Sequence, residues 1–137
     1  MAELSESMVC LRFFGDDLDP AELTELLGQS PTKSEKIGQI VVGEKSGKER
    51  VARTGSWRFD ATKQVPGNLD AQISEVLDLL TDDIDVWQKL TARFKADVFC
   101  GLFMAGSNEG VSLSPSILKK LAKRELMIGF DIYDGAD

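Results

Sequence analysis

The sequence predicts an α+β domain in which helices pack on one face of a largely antiparallel sheet. Three observations lead there. Runs alternating every second residue are interleaved with capped, leucine-striped segments in the order β-α-β-β-α-β-β-α-β. A glycine- and lysine-rich stretch, "GEKSGKE", joins two strand-like runs as a turn. Finally, 137 residues, 42% hydrophobic and 28% charged, are the size and balance of one globular domain spanning 1–137.

Each element has a local cause. In "MVCLRFF", Val9, Leu11 and Phe13 alternate with Cys10, Arg12 and Phe14, as a half-buried strand does. "LDPAELTELLG" then reads as a helix: Asp19 is the N-cap, Pro20 the first helical residue and Gly28 the stop. Leu23, Leu26 and Leu27 form its apolar stripe. Residues 30–60 read as two strands about "GEKSGKE". The second ends in "GSWRFD", with Trp57 and Phe59 facing one way and Arg58 the other.

Leu69, Ile73, Val76, Leu77 and Leu80 recur at helical spacing, and "DDIDVWQKLTARF" either continues that helix or starts a second. On it, Ile84, Trp87, Leu90 and Phe94 share one face. "ADVFCGLFMAG" is apolar on both faces, which predicts a central strand covered on both sides or along much of its length. "SNEGVSLS" supplies a turn and a short strand. "SPSILKKLAKREL" is a helix capped by Ser114 with Pro115 next, and "MIGFDIYDGAD" a last strand with Ile128, Phe130 and Ile132 inward.

A weak internal repeat is present. "VCLRFFG" with "LDPAELTEL" parallels "FCGLFMAG" with "LSPSILKKL", so spans 8–60 and 97–133 form a candidate duplicated strand–helix unit. The alternative is two junctions that independently use an Asp/Ser-Pro cap.

Composition removes several chemistries. With no histidine, Ser-His-Asp and Cys-His nucleophilic catalysis are absent, and so is the commonest neutral-pH proton shuttle. Cys10 and Cys100 alone cannot make an ordinary structural zinc site, and they read as buried free thiols. No apolar run is long enough to span a bilayer, and "MAELSES" has no apolar signal core, so the expectation is a cytoplasmic protein without a membrane partner.

The net charge of −7 disfavours nucleic acid. It does so despite a basic stretch running from Lys33 to Arg58 and including Lys45, Lys48, Arg50 and Arg53, which reads as a solvated hairpin. No phosphate loop of Walker or Rossmann spacing occurs, and no cofactor is indicated.

"FGDDLDPAELTELLG", "PTKSEKIGQ", "GSWRFD" and the terminal "DIYD", taken together in order and spacing, resemble a bacterial domain-of-unknown-function family, number 4279. The resemblance runs from Val9 to Tyr133 and implies a small single-domain cytoplasmic protein. It implies no reaction and no catalytic residue.

Two groups of residues are candidate sites. Asp16 and Asp17, near a strand end, could hold magnesium, because hard cations take carboxylate oxygens; an Asx-type turn beside a helix N-terminus explains them equally. The other group is the sheet face opposite the helices. If Val9, Leu11 and Phe13 point inward, then Arg12, Arg58, Asp131 and Tyr133 share the outer face, suited to an anionic ligand or a protein partner. Cross-strand ion pairing is the simpler account of those four. Trp57 is either a partner hot spot or core filling beside Gly55.

The function these features favour is a non-catalytic binding or interaction module. It would be of immunity or regulatory type, work through the open sheet face and be a monomer or weak homodimer. The competing reading is an enzyme acting on a small anionic substrate, with Asp16 and Asp17 holding magnesium or Asp131 as general base.

Overall fold

The structure is a computed structural model that describes residues 2–135. In chain order the elements are β1 (Ala2–Glu3), β2 (Glu6–Gly15), α1 (Pro20–Leu27), β3 (Lys33–Glu35), β4 (Ile40–Val42), β5 (Glu49–Val51) and β6 (Gly55–Asp60), followed by α2 (Leu69–Leu79), α3 (Ile84–Arg93), β7 (Lys95–Met104), β8 (Glu109–Gly110), α4 (Pro115–Lys123) and β9 (Met127–Asp134). The main sheet has the order β3-β6-β2-β7-β9. Its pairs are antiparallel except β7 with β9. This is an α+β architecture, and β2-α1-β3-β6-α2/α3-β7 has the connectivity of a split β-α-β sheet. The α4–β9 unit extends it by a parallel crossover.

Helix ends are set by the residues that cap them. The Asp19 carboxylate accepts the Ala21 N–H at 3.2 Å, and Gly28, at φ 85°, donates its N–H to the Thr24 carbonyl. Asp83 caps α3 as a separate helix after α2, and the Ser114 hydroxyl accepts the Ile117 N–H to begin α4. Replacing Asp19 with alanine is expected to lower stability by about 1 kcal/mol, and Asp19→Asn to restore most of it. Thermal melting of the two variants checks this.

One core cluster joins sheet and helices. From β2 come Val9, Leu11 and Phe13; from the helices Leu23, Leu27, Ile73, Leu77, Trp87, Leu90, Ile117 and Leu121. Phe13 meets Trp57 edge-on at 6.1 Å and lies 6.2 Å from Trp87. The four helices among the described residues thus cover the face to which Val9, Leu11 and Phe13 point. Behind β2, the buried Gln72 of α2 donates to the Ser7 and Thr62 carbonyls and accepts from the Ser7 hydroxyl, so this polar group enters the core fully bonded.

Three expectations need correction. Residues 30–60 do not form two strands. β4 and β5 make a small separate hairpin, whereas β6 belongs to the main sheet and pairs with β3 and β2. The break falls at Gly55, where a Cβ would sit 2.8 Å from the carbonyl oxygens of both Gly15 and Leu18.

β7, apolar on both faces, is covered on one only. Val98, Cys100 and Leu102 lie beneath the helices, while Phe99, Gly101 and Phe103 face outward with no helix over them.

β9 is an outer strand, and the helix layer reaches Ile128 but stops short of its far half. Phe130 and Ile132 share the parity of Ile128 yet are 47% and 63% exposed.

In the candidate duplicated units, β2-α1 and β7-α4 are both strand–turn–capped helix. The strand that follows differs in place: β9 pairs with β7 directly, whereas β6 separates β3 from β2. Among the described residues no helix is long and apolar enough to cross a membrane.

Candidate functional site

Register puts the outward side chains of the sheet into rows. Because paired residues point the same way, Lys33, Arg58, Arg12 and Asp97 stand side by side on β3, β6, β2 and β7. On one side of that row lie Glu35, Ser56, Phe14 and Lys95; on the other, Asp60, Cys10 and Phe99. Beyond them come Met8 and Asp131, then Phe103 and Tyr133.

Arg12, Arg58, Asp131 and Tyr133 therefore share the open face, but they do not form one site. Arg12 is held by Asp97 through two hydrogen bonds, Nε to Oδ1 at 2.9 Å and Nη2 to Oδ2 at 2.7 Å. These bonds raise the Arg12 pKa above its usual value, against the smaller opposing effect of burial. Its guanidinium also lies 4.4 Å from the Phe99 ring centroid and 5.4 Å from that of Phe14. The residue is committed to its neighbours. Arg58 lies 5.5 Å from the Phe14 centroid and makes no ion pair with any described residue.

At the other end, the Tyr133 hydroxyl donates to Asp131 at 2.6 Å, and this bond raises the tyrosine pKa. The Tyr133 ring stacks on Phe103 at 4.8 Å, with 7° between the planes.

Between these ends runs an apolar groove of about 220 Å³ whose walls include Met8, Cys10, Phe99, Phe103 and Tyr133. Cys10 is a free thiol there, as is Cys100 beneath the helices. Burial, reinforced by the Asp60 carboxylate, pushes the Cys10 pKa up to about 12; burial does the same to Cys100. Neither sulfur is a thiolate near neutral pH, so the groove offers an apolar wall rather than a nucleophile.

A second concavity, of about 660 Å³, lies where the β4–β5 hairpin meets the sheet. Phe14, Ser56 and Arg58 line it from the sheet, Glu35 from β3, and Arg50 and Arg53 from the hairpin side. Arg50 is paired with Glu35 at 2.6 Å. Arg53 makes no ion pair among the described residues. The solvated-hairpin reading missed this cleft. Arg50 stands on β5 and Arg53 just after it, and it is the Arg50–Glu35 pair that ties this segment to β3, a contact that no sequence period announces.

The remaining candidates lie elsewhere. Trp57 is completely buried on the helix face, where its indole N–H donates to the Thr24 hydroxyl at 3.1 Å. It is core, and offers a partner no surface. Asp16 and Asp17 are exposed in the turn closed by the Leu18 N–H on the Gly15 carbonyl. No cluster of three metal-ligating side chains occurs among the described residues.

A protein-family model described as a domain of unknown function (DUF4279) matches residues 5–135. No curated protein and no solved structure matches the chain.

Proposed function

The chain belongs to the DUF4279 family, whose description carries no reaction, and we propose that it is a non-catalytic binding module that engages a protein partner through the open face of its main sheet. One observation carries the reading. The central strands present Met8, Phe99 and Phe103 on a face without helix cover, and Tyr133 of the edge strand stacks on Phe103. Met8 is 48% exposed and Tyr133 45%. A contiguous apolar band of methionine and aromatic side chains, rimmed by charge, has the composition of an interface core. The rim is Glu6 with Lys63, Asp60, and the Arg12–Asp97 pair.

The paired state of Arg12 fits this role. A guanidinium already holding a carboxylate costs less to bury under a partner than a free one.

The test is capture of a partner from the cell of origin by the native chain, by Met8→Glu and by Phe103→Glu. Leu118→Glu, at an exposed position on α4, serves as the control. A carboxylate in the centre of a desolvated interface is expected to weaken capture by about tenfold or more. The α4 variant is expected to capture as the native chain does.

A further inference from the structure

We infer that the cleft between the β4–β5 hairpin and the open sheet face binds a phosphate monoester carried on a small planar molecule. This rests on the open face being the binding surface, of which the cleft is one end. Three features of the cleft converge on that ligand class.

Charge comes first. Of its three guanidiniums, Glu35 balances Arg50, while Arg53 and Arg58 form no ion pair among the described residues. Arg58 also stands between Lys33 and Arg12 in its cross-strand row, an arrangement of like charges that costs stability. Two uncompensated positive charges thus sit in one cleft of a chain whose net charge is −7. A phosphate monoester carries about −1.5 to −2 near neutral pH and accepts hydrogen bonds on three oxygens, so its charge matches those two guanidiniums, which line the cleft. A single carboxylate would leave one positive charge uncompensated.

The second feature is Ser56. It is 6% exposed, lines the cleft, and its hydroxyl has no hydrogen-bond partner among the described residues. Its oxygen is not sealed from solvent, since the buried side-chain polar atom without a partner among the described residues is the Arg124 Nε, so the hydroxyl can donate to a ligand oxygen in exchange for water.

The third is shape. Phe14 and Val51 give the cleft apolar walls, and about 660 Å³ is the volume of a small-molecule site. The Phe14 ring already carries the Arg12 and Arg58 guanidiniums at 5.4 and 5.5 Å, so a planar body would lie against Val51 and the guanidinium-covered ring, with its phosphate towards the arginines.

The experiment is titration of phenyl phosphate into the full chain, followed by amide and arginine side-chain NMR. Phenyl sulfate, a monoanion of the same shape, is the comparison. Saturable shifts are expected at Arg53, Ser56 and Arg58, with phenyl sulfate several-fold weaker. Arg53→Gln and Arg58→Gln should each weaken binding by about tenfold, and Lys119→Gln on α4 should leave it unchanged. Arg53 is exposed, so its variant tests the site without disturbing the core. Binding should also weaken as pH falls through the second phosphate pKa of about 6.

Equal affinity for phenyl sulfate, shifts scattered over surface lysines, or Arg53→Gln and Arg58→Gln binding as the native chain does would each overturn the inference. If those results accompany loss of capture in Met8→Glu, the cleft fails and the partner surface stands. If phenyl phosphate binds as described while Met8→Glu and Phe103→Glu capture normally, the cleft stands and the partner surface fails.

Discussion

Replacing Trp57 with alanine is expected to cost the fold about 3–5 kcal/mol, the usual range for deleting a large, fully buried aromatic side chain. Trp57 has no exposed surface and packs against both Phe13 and Phe59, with ring centroids 6.1 and 5.9 Å away. Its removal leaves a cavity where β6 and α1 meet, and orphans the Thr24 hydroxyl that accepts its N–H. Urea unfolding measures the loss. Trp57→Phe, which keeps most of the volume but loses the hydrogen bond, should fall between the two. Were Trp57 a contact for a partner instead, the alanine variant would stay near native stability and lose affinity alone.

The second large effect is expected at Gly55. An alanine there would bring its Cβ to 2.8 Å from two backbone carbonyl oxygens, those of Gly15 and Leu18, and 3.0 Å from the Leu18 Cβ. Backbone atoms pinned in a sheet and its following turn cannot step aside as a flexible side chain would. The cost should be in the range of about 1–3 kcal/mol typical of overpacking, towards its upper end. It also carries a functional signature. Gly55 is the residue at which the chain leaves the hairpin and enters β6, immediately before Ser56 and Arg58. A shift there moves the cleft's sheet wall against its hairpin wall. Chemical denaturation reads the first effect, and the phenyl phosphate titration the second.

Most of the architecture could be read in the residues because its causes are local. Asp19-Pro20 and Ser114-Pro115 announce helix starts at the positions where the structure caps them. The alternation of Val9, Leu11 and Phe13 with Cys10, Arg12 and Phe14 assigns β2 its two faces. What could not be read depends on neighbours distant in the chain.

Phe130 and Ile132 have the pattern of inward residues, but their burial requires a helix to extend over them, and the layer ends at Ile128. The double apolar character of β7 was legible; that its second face lacks a cover was not, because a pattern shows which residues avoid water and not what hides them. For the candidate site, parity was enough to place Arg12, Arg58, Asp131 and Tyr133 on one face. Their partners were not visible. Asp97, 85 residues from Arg12 in sequence, takes that guanidinium out of the free set, and the hairpin brings in Arg53.

The whole-chain charge also says less than the local one. A net −7 suits a basic partner, yet the open face carries both signs around an apolar centre, and its hairpin end is cationic. Recognition at close range follows the charges that touch, and the net charge acts mainly on encounter.

The most direct test of the open face as the binding surface is quantitative capture by the Met8→Glu and Phe103→Glu chains beside the Leu118→Glu control, each first shown to melt as the native protein does. The account predicts that one partner is retained at native stoichiometry by the α4 variant and falls by about tenfold or more with either sheet-face variant. Retention by both sheet-face variants, together with loss from Leu118→Glu, would place the interface on the helices and contradict it.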